Sequence, residues 1–220
     1  MGIDAIEMRT RSAAVGSVIW MHGLGADGND FASLIPALNL PRDIPINFIF
    51  PHAPVRPVTL NMGMKMRAWY DLIAISQDAR EDKEGLEEAR TIVSKLIENE
   101  VQRGIKEENI LLAGFSQGGA VALYTGLRHP RPLKGILALS TYLPFVSELA
   151  SLNHDKNSKP NILMMHGHHD DIVPITLALQ SFQHLNAHGY PVEFKEYAMA
   201  HQVCPEQIAD LSRYFTEVYR

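Results

Sequence analysis

A serine flanked by glycines is the strongest chemical signal in this chain. The run Gly114-Phe115-Ser116-Gln117-Gly118 directly follows the apolar segment 109–113. A strand that turns at once into a helix needs small residues two positions before and two positions after the turning residue, because the backbone passes close to itself there. Such a turn lifts the serine hydroxyl clear of the sheet edge. The pattern predicts a nucleophilic serine, and the alternative is an inert serine in a glycine-rich turn.

Two later segments could activate this serine, and each follows a predicted strand. Residues 166–174 contain Asp170, and residues 198–201 end at His201. The chain order Ser116, Asp170, His201 is the order of the catalytic groups in α/β-hydrolases, where the histidine takes the serine proton and the carboxylate orients the imidazole. Asp171 is the alternative acid. His201 is chosen among ten histidines because it follows the last predicted strand and precedes the last predicted helix.

A tetrahedral intermediate would also need two hydrogen-bond donors aimed at its oxygen. In this class one donor is the backbone N–H of the residue after the nucleophile, here Gln117. The other comes from a glycine-rich loop after an earlier strand. Residues 21–25 form such a loop, and we assign the second donor to the Leu24 N–H.

Strand and helix patterns alternate along the chain. Apolar runs predict strands at 17–21, 46–50, 110–113, 135–139, 161–165 and 192–197. Helical periodicity covers 86–101, 175–185 and 208–218, and Gly104 and Gly189 mark the ends of the first two helices. This alternation predicts an α/β fold with a mostly parallel, doubly wound sheet and helices on both faces, in one domain spanning 1–220. Ligands of such sheets bind at the carboxyl ends of the strands. The polar stretch 151–159 is predicted to be a surface loop.

Composition narrows the class of protein. The chain has 220 residues, 46% of them hydrophobic, and a net charge of −5 without a basic stripe, which argues against a nucleic-acid partner. No apolar run is long enough to span a bilayer, and the N-terminus lacks the pattern of a signal peptide. Cys204 is the single cysteine and has no internal disulfide partner. We expect a cytoplasmic enzyme without stable membrane insertion and without a cofactor or metal. The oligomeric state is left open, with a homodimer as one option.

Together these segments resemble one family closely, the small carboxylesterases that include acyl-protein thioesterases, often called phospholipase/carboxylesterase. The resemblance rests on His22–Gly25, Arg67–Asp71, Gly114–Gly119, His166, Gly167, Asp170, Val173, Pro174, His201 and Glu206. It implies an α/β-hydrolase fold with Ser116, Asp170 and His201 as the triad and Leu24 and Gln117 as the oxyanion donors. The chain departs from many members where Ala26 precedes Asp27 and where 198–200 lack a glycine.

The resemblance also implies a substrate range. Family members cleave short to medium acyl esters, and some act on thioesters of acylated proteins or on lysophospholipids. We therefore expect a small-molecule ester, a lipid or an acylated protein as substrate. Flexible methionines adapt to variable acyl chains, so Met64, Met66 and Trp69 are one candidate wall of an acyl groove, and Leu143 and Phe145 are another. The alternative is that these side chains fill the core or cover the surface.

The sequence allows three other interpretations of the site or the protein. His166, His168 and Asp170 resemble part of a zinc motif of metal-dependent hydrolases, because imidazoles and carboxylates bind zinc. That reading leaves the serine turn unexplained. Cys204 is a packed residue rather than a nucleophile, since no oxyanion loop accompanies it. A hydrolase-fold protein that binds without catalysis is the third interpretation, and ester turnover would exclude it.

Overall fold

The computed structural model describes residues 3–9, 13–76, 80–152 and 159–220. Within these ranges the chain forms nine strands and five α-helices. The strands are β1 (Ala5–Met8), β2 (Gly16–Met21), β3 (Ile46–Pro51), β4 (Val55–Val58), β5 (Met64–Arg67), β6 (Ile110–Phe115), β7 (Gly135–Leu139), β8 (Ile162–Gly167) and β9 (Val192–Tyr197). The helices are α1 (Asn29–Ala32), α2 (Lys83–Gln102), α3 (Gln117–Gly126), α4 (Ile175–Ala187) and α5 (Pro205–Tyr219).

Seven of the strands form one twisted sheet in the order β1-β3-β2-β6-β7-β8-β9. Only the β1–β3 pair in this sheet is antiparallel, and the other five pairs are parallel. The predicted mostly parallel sheet is thus confirmed, and all six predicted strands belong to it. Two features were not predicted, namely the edge strand β1 and an antiparallel hairpin of β4 and β5. Of the predicted loop 151–159, residues 153–158 lie outside the described residues.

Alternating side chains of the central strands feed two separate cores, one on each face of the sheet. On β2, Ile19 and Met21 belong to the first core, which α2, α3 and α4 cover. Val18 and Trp20 belong to the second core, which contains residues of α1 and α5. Because residues i and i+2 of a strand share a face, a continuous apolar strand can serve both cores. Helices therefore lie on both faces of the sheet, as predicted.

A buried ionic cluster attaches β1 to the rest of the molecule. The Glu100 carboxylate, which is 1% exposed, accepts hydrogen bonds from Ser17 Oγ at 2.5 Å, Arg9 Nη2 at 2.8 Å and Arg103 Nη1 at 2.9 Å. A buried carboxylate is tolerated only when it is paired and hydrogen-bonded in this way. In the part of the chain that the structure describes, no helix is both long and apolar enough to cross a bilayer.

Candidate active site

Ser116 lies in the sharp turn between β6 and α3, and its backbone is strained. Its φ is 53° and its ψ is −121°, a combination that side-chain-bearing residues rarely adopt. A Cβ on Gly114 would lie 2.1 Å from the Gly118 carbonyl oxygen, and a Cβ on Gly118 would lie 2.3 Å from the Met21 carbonyl oxygen. The two flanking glycines are therefore required by close backbone contacts, as the sequence pattern indicates. The Ser116 carbonyl oxygen accepts a hydrogen bond of 2.7 Å from Thr141 Oγ1.

Asp170 and His201 meet beside this turn. His201 Nδ1 lies 2.7 Å from Asp170 Oδ2, and the Asp170 side chain is fully buried. The second carboxylate oxygen, Oδ1, accepts hydrogen bonds from the backbone N–H groups of Ile172 at 3.0 Å and Val173 at 2.8 Å. Because a carboxylate only accepts hydrogen bonds, the proton sits on Nδ1, and Nε2 is left with the lone pair that a general base needs.

The His201 ring also contacts the segment that carries the serine. It packs against the ring of Phe115, the residue before Ser116, with 4.7 Å between ring centroids. Asp171, the alternative acid, is exposed, and within the described residues its carboxylate has no hydrogen-bond or ion-pair partner. The geometry therefore favours Asp170 as the residue that orients His201.

His166, which the zinc interpretation treats as a metal ligand, packs beside Asp170. Its side chain is 1% exposed, and Nε2 donates a 2.8 Å hydrogen bond to the Val173 carbonyl oxygen. The same nitrogen lies 3.4 Å from Asp170 Oδ2. Burial lowers the pKa of His166, so the neutral imidazole is favoured. This side chain fixes the loop that presents Asp170.

The loop 21–25 lies directly against the serine turn. A Cβ on Gly23 would stand 3.5 Å from the Ser116 Cβ. Neither the Leu24 N–H nor the Gln117 N–H donates to any acceptor among the described residues, whereas the neighbouring Gly25 N–H donates to the Arg67 carbonyl oxygen at 2.8 Å. Two unused donors beside the serine are what an oxyanion hole consists of.

Two side chains hold this loop in place, a role that the sequence analysis assigned to neither of them. His22 is buried, its Nδ1 donates to the Gly23 carbonyl oxygen at 2.7 Å, and its Nε2 accepts from the Ala53 N–H at 3.0 Å. These partners require the neutral Nδ1–H form, and burial accordingly lowers the pKa of His22. Trp69 Nε1 donates to the His22 carbonyl oxygen at 2.9 Å.

The Gln117 side chain connects the serine turn to the same support. Its Oε1 accepts a 2.8 Å hydrogen bond from the Trp69 N–H, and its Nε2 donates to the Tyr70 carbonyl oxygen at 2.8 Å. The amide thus fixes the segment after β5 to the start of α3. The sequence motif indicated only the Gln117 backbone N–H, because the partners of the side chain, Trp69 and Tyr70, lie 48 and 47 residues away.

The two candidate walls of the acyl groove lie in different places. Met66 is half-buried, and its sulfur would be 3.7 Å from a Cβ on Gly25, next to the predicted oxyanion loop. Met64 is 61% exposed on the hairpin. Leu143 and Phe145 instead line a cavity of about 340 Å³ together with Tyr142.

The assignment of Trp69 to a groove wall is corrected by its burial. Trp69 has no exposed surface, and its N–H groups are hydrogen-bonded to the main chain and to Gln117. A side chain held in the core in this way offers no surface to a substrate. Trp69 supports the loop 21–25 instead.

The side chains of the zinc alternative point to separate partners. His166 is bonded to the Val173 carbonyl oxygen, while His168 Nδ1 lies 3.1 Å from the Glu196 carboxylate at the exposed edge of the sheet. Across the described ranges of the chain, no three His, Cys, Asp or Glu side chains are arranged as metal ligands. The metal interpretation has no geometric support among these residues.

The fold and the geometry of the site indicate the class of the protein. A mostly parallel sheet that presents a strained serine after a central strand, with Asp170 and His201 on later loops, is typical of α/β-hydrolases. A family model described as phospholipase/carboxylesterase matches residues 3–218. The chain belongs to that family and is a carboxylic ester hydrolase.

Relatives with a described activity extend over almost the whole chain. Acyl-protein thioesterase 1 of Neurospora crassa is 37% identical over an alignment of 210 residues, and the alignment covers 91% of this chain and 86% of that protein. Acyl-protein thioesterase 1 of Mycosarcoma maydis is 33% identical over an alignment of 228 residues, gaps included, and the alignment covers 97% of this chain and 95% of that protein. Among solved structures, acyl-protein thioesterase 2 of Zea mays is 28% identical, covers 100% of both chains and superposes with a TM-score of 0.88.

Proposed function

We propose that this enzyme hydrolyses carboxylic esters and thioesters of short to medium acyl chains through an acyl-enzyme on Ser116. The observation that carries the proposal is the 2.7 Å contact between Asp170 and His201, with the His201 ring packed on the residue before the strained Ser116. This arrangement supports Ser116 as the nucleophile, His201 as the base and Asp170 as the group that orients the base.

The reaction proceeds in two balanced steps. Ser116 Oγ attacks the carbonyl carbon while its proton passes to His201 Nε2, and the Leu24 and Gln117 N–H groups stabilise the negative oxygen. The bond from the carbonyl carbon to the leaving oxygen or sulfur then breaks, and His201 gives the proton to the leaving atom. In the second step water attacks the acyl-serine, His201 takes a water proton and returns it to Ser116 Oγ, and the carboxylic acid is released.

The relatives suggest the physiological substrate. Three similar proteins are named acyl-protein thioesterases, so we propose that acylated proteins or lipids are the substrates of this chain. The half-buried Met66 beside Gly25 supports an acyl site next to the oxyanion loop, and the cavity at Leu143 and Phe145 is a second candidate. Flexible apolar side chains suit substrates of varied chain length.

A labelling experiment tests the nucleophile, and a substrate panel tests the specificity. A fluorophosphonate probe is expected to modify Ser116 alone, and Ser116→Ala is expected to lose activity by about 10^3-fold or more while remaining folded. p-Nitrophenyl esters of increasing length, an S-palmitoylated peptide and a lysophospholipid are then compared by kcat/KM. Labelling at another residue, or Ser116→Ala activity within about tenfold of wild type, would refute the proposal.

A further inference from the structure

A second cavity, also of about 340 Å³, opens directly beside His201, and nothing above assigns it a role. Its walls come from α1 and the turn after it on one side and from the loop before α5 on the other. The residues that matter are Asp30, Phe31, Leu34, Phe115, His201 and Val203. The cavity at Leu143 and Phe145 shares none of these residues.

The chemistry of the proposed reaction determines which part of a substrate would occupy this cavity. His201 must donate its proton to the departing oxygen or sulfur, so the leaving group lies on the His201 side of the scissile bond. The candidate acyl positions lie elsewhere, at Met66 beside Gly25 and at Leu143. Since His201 is a wall of the cavity, the cavity is placed to receive the leaving group.

The charge of the cavity comes from Asp30. Its side chain is partly exposed, and within the described residues its carboxylate has no hydrogen-bond or ion-pair partner. Asp27, one turn earlier, differs because its Oδ1 accepts hydrogen bonds from the Asn29 N–H at 2.8 Å and Asn29 Nδ2 at 3.0 Å. Partial burial, together with repulsion from Asp27, raises the pKa of Asp30. A cation near Asp30 would offset both effects.

The other walls also favour a cation. The rings of Phe31 and Phe115 stand 5.5 Å apart at 42° to each other, and the Phe115 ring lies 4.7 Å from that of His201. Aromatic faces attract ammonium groups, most strongly quaternary ones, which are only weakly hydrated. None of the described residues that line the cavity is a lysine or an arginine. Two aromatic side chains and an unpaired carboxylate thus line the same cavity.

We propose that this cavity binds the leaving group and that Asp30 makes it selective for esters and thioesters of alcohols or thiols that carry an ammonium group. The inference rests on the proposed serine mechanism and adds the class of leaving group to it. Asp30 is a specificity residue here, because it touches the departing part of the substrate and not the reacting atoms.

A pair of thioesters of equal size tests the selectivity. Butyrylthiocholine and S-(3,3-dimethylbutyl) butanethioate differ only in replacing the quaternary nitrogen by carbon, and the ratio of their kcat/KM values is the readout. We expect wild type to favour the cation and Asp30→Asn to lower the ratio about fivefold, the effect of one partly exposed charge at close range. Asp30→Lys should reverse the preference. Asp43→Asn removes an equal charge from an exposed position outside the cavity and should keep the wild-type ratio.

The possible outcomes separate this inference from the proposed function. Turnover of both thioesters with the same ratio in wild type and Asp30→Asn would overturn the cation site and leave the serine mechanism standing. An equal fall of the ratio in Asp43→Asn would also overturn it, because the effect would then come from net charge. If neither thioester nor p-nitrophenyl butyrate is hydrolysed in a Ser116-dependent way, the proposed function fails, and the inference fails with it.

Discussion

The two oxygens of Asp170 have separate partners. Oδ2 faces His201 Nδ1, while Oδ1 is held by the N–H groups of Ile172 and Val173. Both partners of Oδ1 are N–H donors, so the atom at that position must be a hydrogen-bond acceptor. In an amide side chain that atom is the oxygen. An amide at residue 170 would have to place its oxygen there and turn its NH2 group toward His201. The imidazole would then accept at Nδ1 and carry its proton on Nε2, the wrong tautomer for a base.

Exchanging each of the two adjacent acids for its amide therefore tests the assignment. Asp170→Asn should lower kcat by about 10^3-fold or more, whereas Asp171→Asn should stay within about threefold of wild type because its carboxylate is exposed. Steady-state kinetics on p-nitrophenyl butyrate measures both, and circular dichroism checks that the variants are folded. A larger loss in Asp171→Asn would transfer the role to that residue.

For individual residues, the sequence predicts the candidate catalytic groups better than it predicts the side chains that hold them in place. Ser116 could be located because the glycine spacing is a local consequence of the turn, and Asp170 and His201 because each follows a recognisable strand. The role of His22 could not be predicted in the same way. Its partner Ala53 lies 31 residues away, and no local pattern records that contact.

The β4–β5 hairpin extends from the protein surface to the candidate active site. Its outer part carries exposed apolar side chains, with Met62 at 94% exposure and Met64 at 61%. Its inner end accepts the Gly25 N–H at the Arg67 carbonyl oxygen, and Arg67 Nη1 donates to the Ala53 carbonyl oxygen at 2.9 Å. The hairpin therefore fixes the loop 21–25 while it holds Met66 next to that loop.

Trimming one methionine at a time tests whether the hairpin contributes to an acyl site. If Met66 contacts the acyl chain, each buried methylene adds up to about 0.8 kcal/mol to transition-state binding, and Met66→Ala should flatten the rise of kcat/KM with chain length. Met62→Ala is the matched control, since that side chain is almost fully exposed. A uniform loss at all chain lengths in Met66→Ala would assign it a structural role, and the acyl site would be sought at Leu143 and Phe145.

Some strands and helices have a local sequence pattern that predicts them, and others do not. The six long apolar strands and the three amphipathic helices were predictable from periodicity. Strand β1 was not, because it has four residues and is attached through Arg9 to Glu100, 91 positions away. The placement of Trp69 was wrong because a position near methionines in sequence says nothing of its burial, which His22 and Gln117 determine.

The free energy of unfolding of the whole molecule depends on pH through two buried histidines that stay neutral in the folded protein. His22 and His166 are both buried, and burial lowers the pKa of each from the ordinary value of 6.5. The unfolded chain takes up protons at these residues near that ordinary value, whereas the folded protein does not. The free energy of unfolding should therefore be independent of these groups above about pH 7 and should decrease as the pH falls below about 6.5.

Denaturant unfolding at several pH values tests this expectation. Each imidazole should contribute a slope approaching about 1.4 kcal/mol per pH unit below its unfolded pKa. His22→Gln places an amide oxygen where Nε2 accepts from the Ala53 N–H, so it removes one titration while keeping that hydrogen bond. Its stability should vary less steeply between pH 7 and pH 5 than that of wild type. An equally steep dependence in the variant would show that His22 is not responsible.

The positive φ of Ser116 strains the backbone, whereas the proposed mechanism needs a serine at this position. Selection for heat resistance and selection for turnover would therefore favour different residues here. Glycine occupies this region of backbone space freely, whereas alanine and serine are strained there by about 1–3 kcal/mol. Ser116→Gly should therefore melt above Ser116→Ala in differential scanning calorimetry, by about 2–4 °C for each kcal/mol of strain that is relieved. Under the proposed mechanism, a lineage that lost its substrate would be expected to drift toward glycine at this position.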